Sequence, residues 1–418
     1  MATQTGALAY ADRLALSVAP VNSTRRVPFF VAVDGGFAFP AHYGADRGAG
    51  VAAPAPVAFP PFVGSLRDEQ LAAFASIVAS VSERGSALCE MRTGFGKTVV
   101  ALALCAELRV RALVLVHTHT LLAQWVERAR EFLGVEPPAA CGSAAFKRCV
   151  QSDAPLVVAM IQTVVAAAAA AAPTGRFDLV VYDEVHHVCA RAFSRAIFSL
   201  RSPLAVGLSA TVQRADGLGV ALGWFFGPSI RTDGPSMRAT VERLALDDHG
   251  VEVTTVYNKA LRRDAVNFSR LVSDLAACEP RTLQIAARVR ELLTEGRTAL
   301  VVCSRVAHCA AMRDALRPFA VRVLAGGKRQ EAAEAFNAIV GTTGTVGEGF
   351  DEPSLDTLVF ATPVVAVTQA IGRILRRRNA LPPLVLDPVD PIAVCGTQWF
   401  RRLAAYKDAG HRVRLHSH

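Results

Sequence analysis

"ALCEMRTGFGKTVVALAL", Ala87 to Leu104, decides how the rest of this 418-residue chain is read. An apolar run stops, a turn carries Gly-x-Gly-Lys-Thr, and a helical pattern follows. Gly94 and Gly96 allow backbone N–H groups to turn inward and a ligand to approach closely. The helix start adds the positive end of a dipole. That combination suits a phosphate chain. Lys97 supplies a point charge for its outer phosphates, and the Thr98 hydroxyl can ligate Mg²⁺. Thr93 to Thr98, Phe95 included, form the expected cradle. Met91 stands where G-x-x-x-x-G-K-[ST] begins with glycine. A plain glycine turn is the alternative, and the strand–loop–helix context argues against it.

A phosphate loop demands an acid for Mg²⁺ and a base for the attacking water. "VVYDEVHHVCARAF", Val180 to Phe193, offers both at the end of an apolar run. Asp183 is expected to hold Mg²⁺ through water, and Glu184 to activate the nucleophile. A zinc site is the rival. His186 and His187 are adjacent, so on a helix they diverge by about 100°. H-E-x-x-H spacing is absent and no Cys pair completes four ligands. His187 and Cys189 are assigned to packing.

The same apolar pattern recurs along the chain. "ALVLVH" (Ala112 to His117), "PLVVAM" (Pro155 to Met160), "DLVVYD" (Asp178 to Asp183) and "AVGLSA" (Ala205 to Ala210) read as strands buried on both faces of a parallel sheet. Amphipathic stretches lie between them, which predicts an open α/β domain over 63–231. "GPSIRTDGPSM", Gly227 to Met237, reads as a turn-rich hinge. "ALVVCS", "VRVLAG", "AIVGTT", "TLVFAT" and "PLVLDP" then predict a second α/β domain over 238–418. Two such domains imply a cleft. Residues 1–62 form a small β-rich segment and linker. "VPFFVAV", "DGG" and "FAFPAHY" predict a hairpin there.

Composition sets outer bounds. The chain is 52% hydrophobic and 19% charged, with mean hydropathy +0.31. Ala154 to Gly175 carries no charge, but alanine is weakly apolar and Pro173 ends the run, so a membrane span is not expected. Met1 to Leu16 lacks a secretory pattern. Net charge is +9, which suits a phosphate-rich partner. Nine cysteines without a CxxC pair predict an intracellular, reducing setting.

Taken together, these motifs resemble those of the superfamily 2 helicases. "SLRDEQ" (Ser65 to Gln70) resembles the segment whose glutamine contacts adenine. "TGFGKT" is similar to motif I, "VHTHTLLAQW" to motif Ia (with His117 where proline is usual) and "MIQT" to motif Ic. "DEVHH" resembles a DExH motif II, and "GLSATVQRADGLG" carries the Ser-Ala-Thr of motif III. "LVVCSR", "GTTGTVGEGFDEP" and "QAIGRILRR" resemble motifs IV, V and VI. The Arg-x-Asp-Gly after motif III resembles the repair and transcription-factor translocase branch. The N-terminal segment and the tail Leu384 to Val413 resemble the DExH helicases of large nucleocytoplasmic DNA viruses.

The resemblance implies two RecA-like domains in tandem with ATP and Mg²⁺ between them. Gln70 would read the base. Arg373 and Arg376, placed one helical turn apart, would reach across as arginine fingers beside Gln369. His186, Ser209 and Thr211 would couple hydrolysis to movement. Thr118, Thr163, Arg305 and Thr342 would hold backbone phosphates of nucleic acid. DNA is favoured over RNA, with a transcription or replication complex as a further partner. An RNA helicase and an ATP-driven switch in transcript release are the alternatives. If the chain is viral, its place is host cytoplasm, nucleus or virion.

Overall fold

The computed structural model describes residues 3–416 except 7, 22–25, 34–35, 44–53, 170–176, 190–193, 201, 213, 215, 233–236, 259–262, 326–334, 347–349, 351, 365–366 and 376–378. Two compact units divide at Gly234 and Pro235.

The first unit is built on a seven-stranded parallel sheet. Its strands are β1 (Ser86–Glu90), β2 (Ala112–Val116), β3 (Ala139–Ala140), β4 (Leu156–Met160), β5 (Leu179–Tyr182), β6 (Leu204–Ser209) and β7 (Ser229–Arg231). The spatial order is β7-β1-β6-β5-β2-β4-β3. Strand alternation splits the side chains between two cores. Leu113, Leu115, Val157, Ala159, Val180 and Tyr182 enter one, and Ala112, Val114, Leu156, Val158, Leu179 and Val181 enter the other. Helices cover both faces, which is why these strands carry almost no polar residue. β7 falls inside the stretch read as a hinge. Five residues, 232–236, separate it from the described start of the second unit, and 233–236 lie outside the described residues.

The uncharged stretch from Ala154 is not one helix. It divides into β4 and a helix Ile161–Ala169. Among the described residues no helix is long and apolar enough to cross a membrane.

The second unit repeats the architecture with β8 (Thr240–Ala245), β9 (Ala299–Cys303), β10 (Val321–Leu324), β11 (Ala338–Thr342), β12 (Thr357–Phe360), β13 (Leu384–Val389) and β14 (Arg412–His416). The order is β10-β11-β9-β12-β13-β8-β14, again parallel throughout. The helix Ala393–Asp408 is fastened to β13 by a buried pair. Arg402 donates two bonds to Asp387, both 2.8 Å, and the Tyr406 hydroxyl donates a third at 2.6 Å. Arg281 donates to Asp390 at 2.6 and 3.0 Å and to the Ala361 carbonyl at 2.7 Å. Each buried charge is thus matched and hydrogen-bonded, the condition under which burial is tolerated.

The expected N-terminal hairpin is present as Val31–Val33 paired antiparallel with Gly36–Pro40. Asp34 and Gly35, its turn residues, lie outside the described residues. The segment is not an appendage. Val27 and Phe29 belong to the core of the first unit, and the Phe29 ring meets Trp224 and Phe225 edge-on, both at 6.1 Å. Phe29→Ala should therefore lower the unfolding free energy of the first unit by about 3–5 kcal/mol. Leu14→Ala, at an exposed position, should stay within about 0.5 kcal/mol. Denaturant titration of both variants checks this.

Candidate functional site

β1 delivers the chain to the loop Met91–Gly96, and the helix Lys97–Leu108 leaves it. Gly94 and Gly96 have φ of 79° and 88°, the left-handed region that glycine enters without strain. At Gly96 space matters as well as φ. A Cβ there would lie 2.5 Å from Gln70 Nε2. Gln70 is buried, and both ends of its amide are occupied inside the chain. Nε2 donates to the Phe95 carbonyl at 2.7 Å, and Oε1 accepts from the Arg67 N–H at 2.9 Å. The Arg67 guanidinium also donates to the Phe95 carbonyl. Gln70 therefore shapes the phosphate loop directly. Thr93 and Thr98 are partly exposed within the same loop and first helical turn.

Asp183 and Glu184 follow β5. The Asp183 backbone N–H still bonds to the Leu115 carbonyl, at 2.9 Å, so the acid is placed by the sheet itself. Its carboxylate accepts from Trp125 Nε1 at 2.8 Å and from the Glu184 N–H at 3.0 Å. Burial and the neighbouring Glu184 raise the Asp183 pKa, while Lys97 and these hydrogen bonds oppose the rise. A carboxylate so placed gains from a nearby cation. The Asp183 carboxylate and the Thr98 hydroxyl are oxygen donors of the hard kind that Mg²⁺ takes.

Glu184 has φ of 46°, which costs a non-glycine residue about 1–2 kcal/mol. That conformation goes with a side chain turned to the phosphate loop, where Oε1 accepts from Lys97 Nζ at 3.0 Å. Oε2 is buried with no hydrogen-bond partner among the described residues. It lies 3.5 Å from His186 Nδ1. His186 bonds instead to Ser209 Oγ at 2.9 Å. Ser209 spends its one proton on the Thr211 carbonyl, 2.6 Å away, so the His186 Nδ1–H is the donor. Arg214 holds the opposite end of His186 by its carbonyl, and is itself gripped by Asp216 at 2.9 and 2.5 Å. The Arg-x-Asp-Gly motif is thus the outer clamp on the segment after Glu184. Gln213 and Ala215 lie outside the described residues.

The segment Val185–Cys189 is a 3₁₀ turn rather than an α-helix. The rings of His117, His187 and His186 follow one another with centroids 4.2 and 4.3 Å apart and planes tilted by 37° and 39°. Cys189 is buried, which pushes its thiol up to about 12, so it stays protonated and packs.

The four positions expected to meet nucleic acid are engaged within their own units. Thr118 caps the helix His119–Leu133 by accepting from the Leu121 N–H at 3.2 Å. Thr163 is buried, and its hydroxyl accepts from the Gly142 N–H at 2.9 Å. Arg305 donates to Ser273 Oγ at 3.1 Å and to the Ser269 carbonyl at 3.0 Å. The Thr342 hydroxyl bonds to that of Thr345.

In the second unit the helix carrying Gln369 is short, Thr368–Ile371. It passes into i→i+3 turns at Arg373 and Ile374. Arg376 lies outside the described residues, so the shared helical face expected for Arg373 and Arg376 has no support there. Arg373 is buried and donates to the Phe350 carbonyl of its own unit. Of the Gln369 side chain nothing is described.

Trp125 packs in the core, and it also holds the acid, a role the sequence did not suggest. Leu121, Trp125, Ala129 and Leu133 form one buried stripe. The missed signal was its N–H, which needs a partner when buried.

Two tandem parallel sheets, the first bearing a glycine-bent phosphate loop against a strand-end acid pair, define a nucleoside triphosphatase of RecA-like domains. The helicase domain of Pyrococcus furiosus Hef has this fold. It superposes with a TM-score of 0.50 and 17% identity, over 81% of this chain and 98% of that one. Residues 64–214 match the family model of the type III restriction enzyme res subunit. Protein 055L of Frog virus 3, named as a helicase, is 29% identical over 84% of this chain and 79% of its own length. L396 of Acanthamoeba polyphaga mimivirus, named as an ATP-dependent RNA helicase, is 26% identical over 80% of this chain. The chain spans 66% of L396. These comparisons support a superfamily 2 helicase similar to those of large DNA viruses.

Two outcomes test the acid site. Trp125→Phe keeps the packing but removes the donor to Asp183. It should raise the Mg²⁺ concentration for half-maximal ATPase several-fold, with melting temperature little changed. Asp183→Asn should stabilise the metal-free protein at neutral pH. The Asp183 pKa is raised on folding, so its contribution is fully present below the ordinary carboxylate value and is lost as pH rises through the folded value. Thermal melts across pH, with and without Mg²⁺ and nucleotide, read this out. The metal with nucleotide should stabilise the wild type more than Asp183→Asn.

Proposed function

We propose that the protein is an ATP-driven motor on nucleic acid, with DNA the favoured substrate. The contact that carries this reading is Lys97 Nζ to Glu184 Oε1, 3.0 Å, which joins the phosphate loop to the acid pair. In this reading Gly94, Gly96, Lys97 and Thr98 bind the phosphates. Lys97 moves from Glu184 to the incoming anion, which frees both Glu184 oxygens. Oε2, already without a partner among the described residues, then accepts the proton of the attacking water. Asp183 and Thr98 hold Mg²⁺, which when bound supplies charge against the phosphate oxygens. Arg373 and Arg376 approach from the second unit to neutralise the γ-phosphate, and Gln369 assists.

Loss of that phosphate would be sensed along Glu184, His186, Ser209 and Thr211. Nucleic-acid phosphates would run along the strand-end loops at Thr118, Thr163, Arg305 and Thr342. Since those side chains are engaged internally, backbone N–H groups and helix starts would make much of the contact. The motif resemblance to DNA translocases favours DNA. The printed name of L396 favours RNA as the second reading. A transcription or replication complex is the partner class this activity fits. The cysteines are free thiols, which fits a reducing, intracellular compartment.

The test is steady-state ATPase with single-stranded DNA, duplex DNA and RNA in turn. DNA should stimulate most. Stronger stimulation by RNA would overturn the DNA assignment, and none by any nucleic acid would overturn the motor. Glu184→Gln should cut turnover at least 100-fold while ATP still binds.

A further inference from the structure

Glu184 keeps a left-handed backbone, and a residue in that conformation stays there only where its surroundings hold it. On the strand side the sheet does so, through Asp183. On the far side the His187 N–H returns to the Glu184 carbonyl at 3.0 Å. The His186 ring donates to Ser209 Oγ at 2.9 Å, and the His186 carbonyl accepts from Arg214. Arginine is a long side chain with many rotamers. Arg214 keeps one place because Asp216 grips its guanidinium at 2.9 and 2.5 Å. Whatever fixes Asp216 therefore helps to fix Glu184.

Asp216 lies in a loop whose ends meet. A Cβ on Gly219 would stand 2.5 Å from the Val212 carbonyl oxygen. Inside the loop the Gly217 N–H donates to the Arg214 carbonyl at 3.1 Å, and the Leu218 N–H donates to Asp216 Oδ1 at 3.1 Å. A further bond comes from outside it. The Val21 N–H, in the N-terminal segment, donates to the Asp216 carbonyl at 2.9 Å. A Cβ on Gly217 would lie 3.7 Å from Val21 Cγ2. Anchoring the segment is a poor explanation for this contact. Phe29 already roots it in the core, and the His42 N–H already bonds to the Trp224 carbonyl at 2.9 Å. Val21 itself is 59% exposed and buries little. What sets it apart is where it touches the loop, at the residue that grips Arg214.

We infer that the N-terminal segment positions the hydrolytic base, acting from Val21 through Asp216 and Arg214 on His186 and Glu184. This rests on the motor reading, which makes Glu184 the base, and deepens it by naming a part of the chain outside the helicase motifs that sets turnover. Val21 and Arg214 are positioning residues. The phosphate loop is not a link in this series of contacts, so their loss acts on turnover and leaves nucleotide binding alone.

The experiment is steady-state ATPase of the full chain with the nucleic acid that stimulates it most. Val21→Pro removes the N–H donor and leaves an apolar side chain. It should lower kcat about threefold to tenfold, the worth of one hydrogen bond, with KM for ATP unchanged. Its melting temperature should stay within about 2 °C of wild type. Val21→Ala keeps the N–H and should keep wild-type kcat. Arg214→Ala should lower kcat at least tenfold, again without moving KM. The double variant Val21→Pro/Arg214→Ala should be no slower than Arg214→Ala alone, because both act along one route. Wild-type kcat in Val21→Pro or in Arg214→Ala overturns the inference. So do losses that multiply in the double variant. A Val21→Pro chain that melts well below wild type, or loses kcat and KM together, makes the bond an anchor and overturns it too. If Glu184→Gln turns over like wild type, the base assignment itself has failed.

Discussion

A parallel sheet covered on both faces leaves polar groups one place to gather, the ends of its strands. Nearly every candidate site residue of this protein stands at a carboxyl end. The phosphate loop follows β1, Thr118 follows β2, Thr163 follows β4, and the acid pair follows β5. Ser209 closes β6, and in the second unit Arg305 and Thr342 sit at the ends of β9 and β11. The apolar cores make the strands, and by exclusion the cores also make the site. Because β6 lies between β1 and β5, Ser209 comes between the phosphate loop and the acids, and so it can reach His186.

At that edge the electrostatics are deliberately unfinished. Asp183 is short of positive charge, and Glu184 has one oxygen satisfied and one waiting. Lys97 compensates for part of this. The left-handed turn at Glu184 is a strain that a purely structural acid would have no cause to retain. The second unit shows the contrast. Two of its buried acids, Asp387 and Asp390, are each met by a two-pronged arginine.

Much of this was readable before any coordinates. Continuous apolar runs gave nine strands of the two sheets, eight of them almost wholly buried and β10, at a sheet edge, half-buried. β8 and β14 escaped notice because their sequences, "TVERLA" and "RVRLH", mix charge with apolar residues. In β8, Glu242 is matched by Arg288 at 2.7 and 3.0 Å, a tertiary partner that no local pattern announces. The phosphate loop and acid pair were legible because their chemistry fixes residue type and spacing. Gln70 was recognised as important, yet its bond to Phe95 depends on how the helix Asp68–Arg84 lies against the loop. The pairing of Arg373 with Arg376 on one face lies partly outside the described residues, because Arg376 is not among them.

The bond from Trp125 to Asp183 has a practical side. Indole emission responds to charge and polarity at the ring nitrogen, and this nitrogen sits on the acid expected to meet the metal. The other tryptophans pack elsewhere, Trp224 against Phe29 and Tyr43, and Trp399 against Tyr406. The protein therefore carries a built-in optical gauge. With nucleotide at this acid, its arrival and departure would register in the emission of an unlabelled chain.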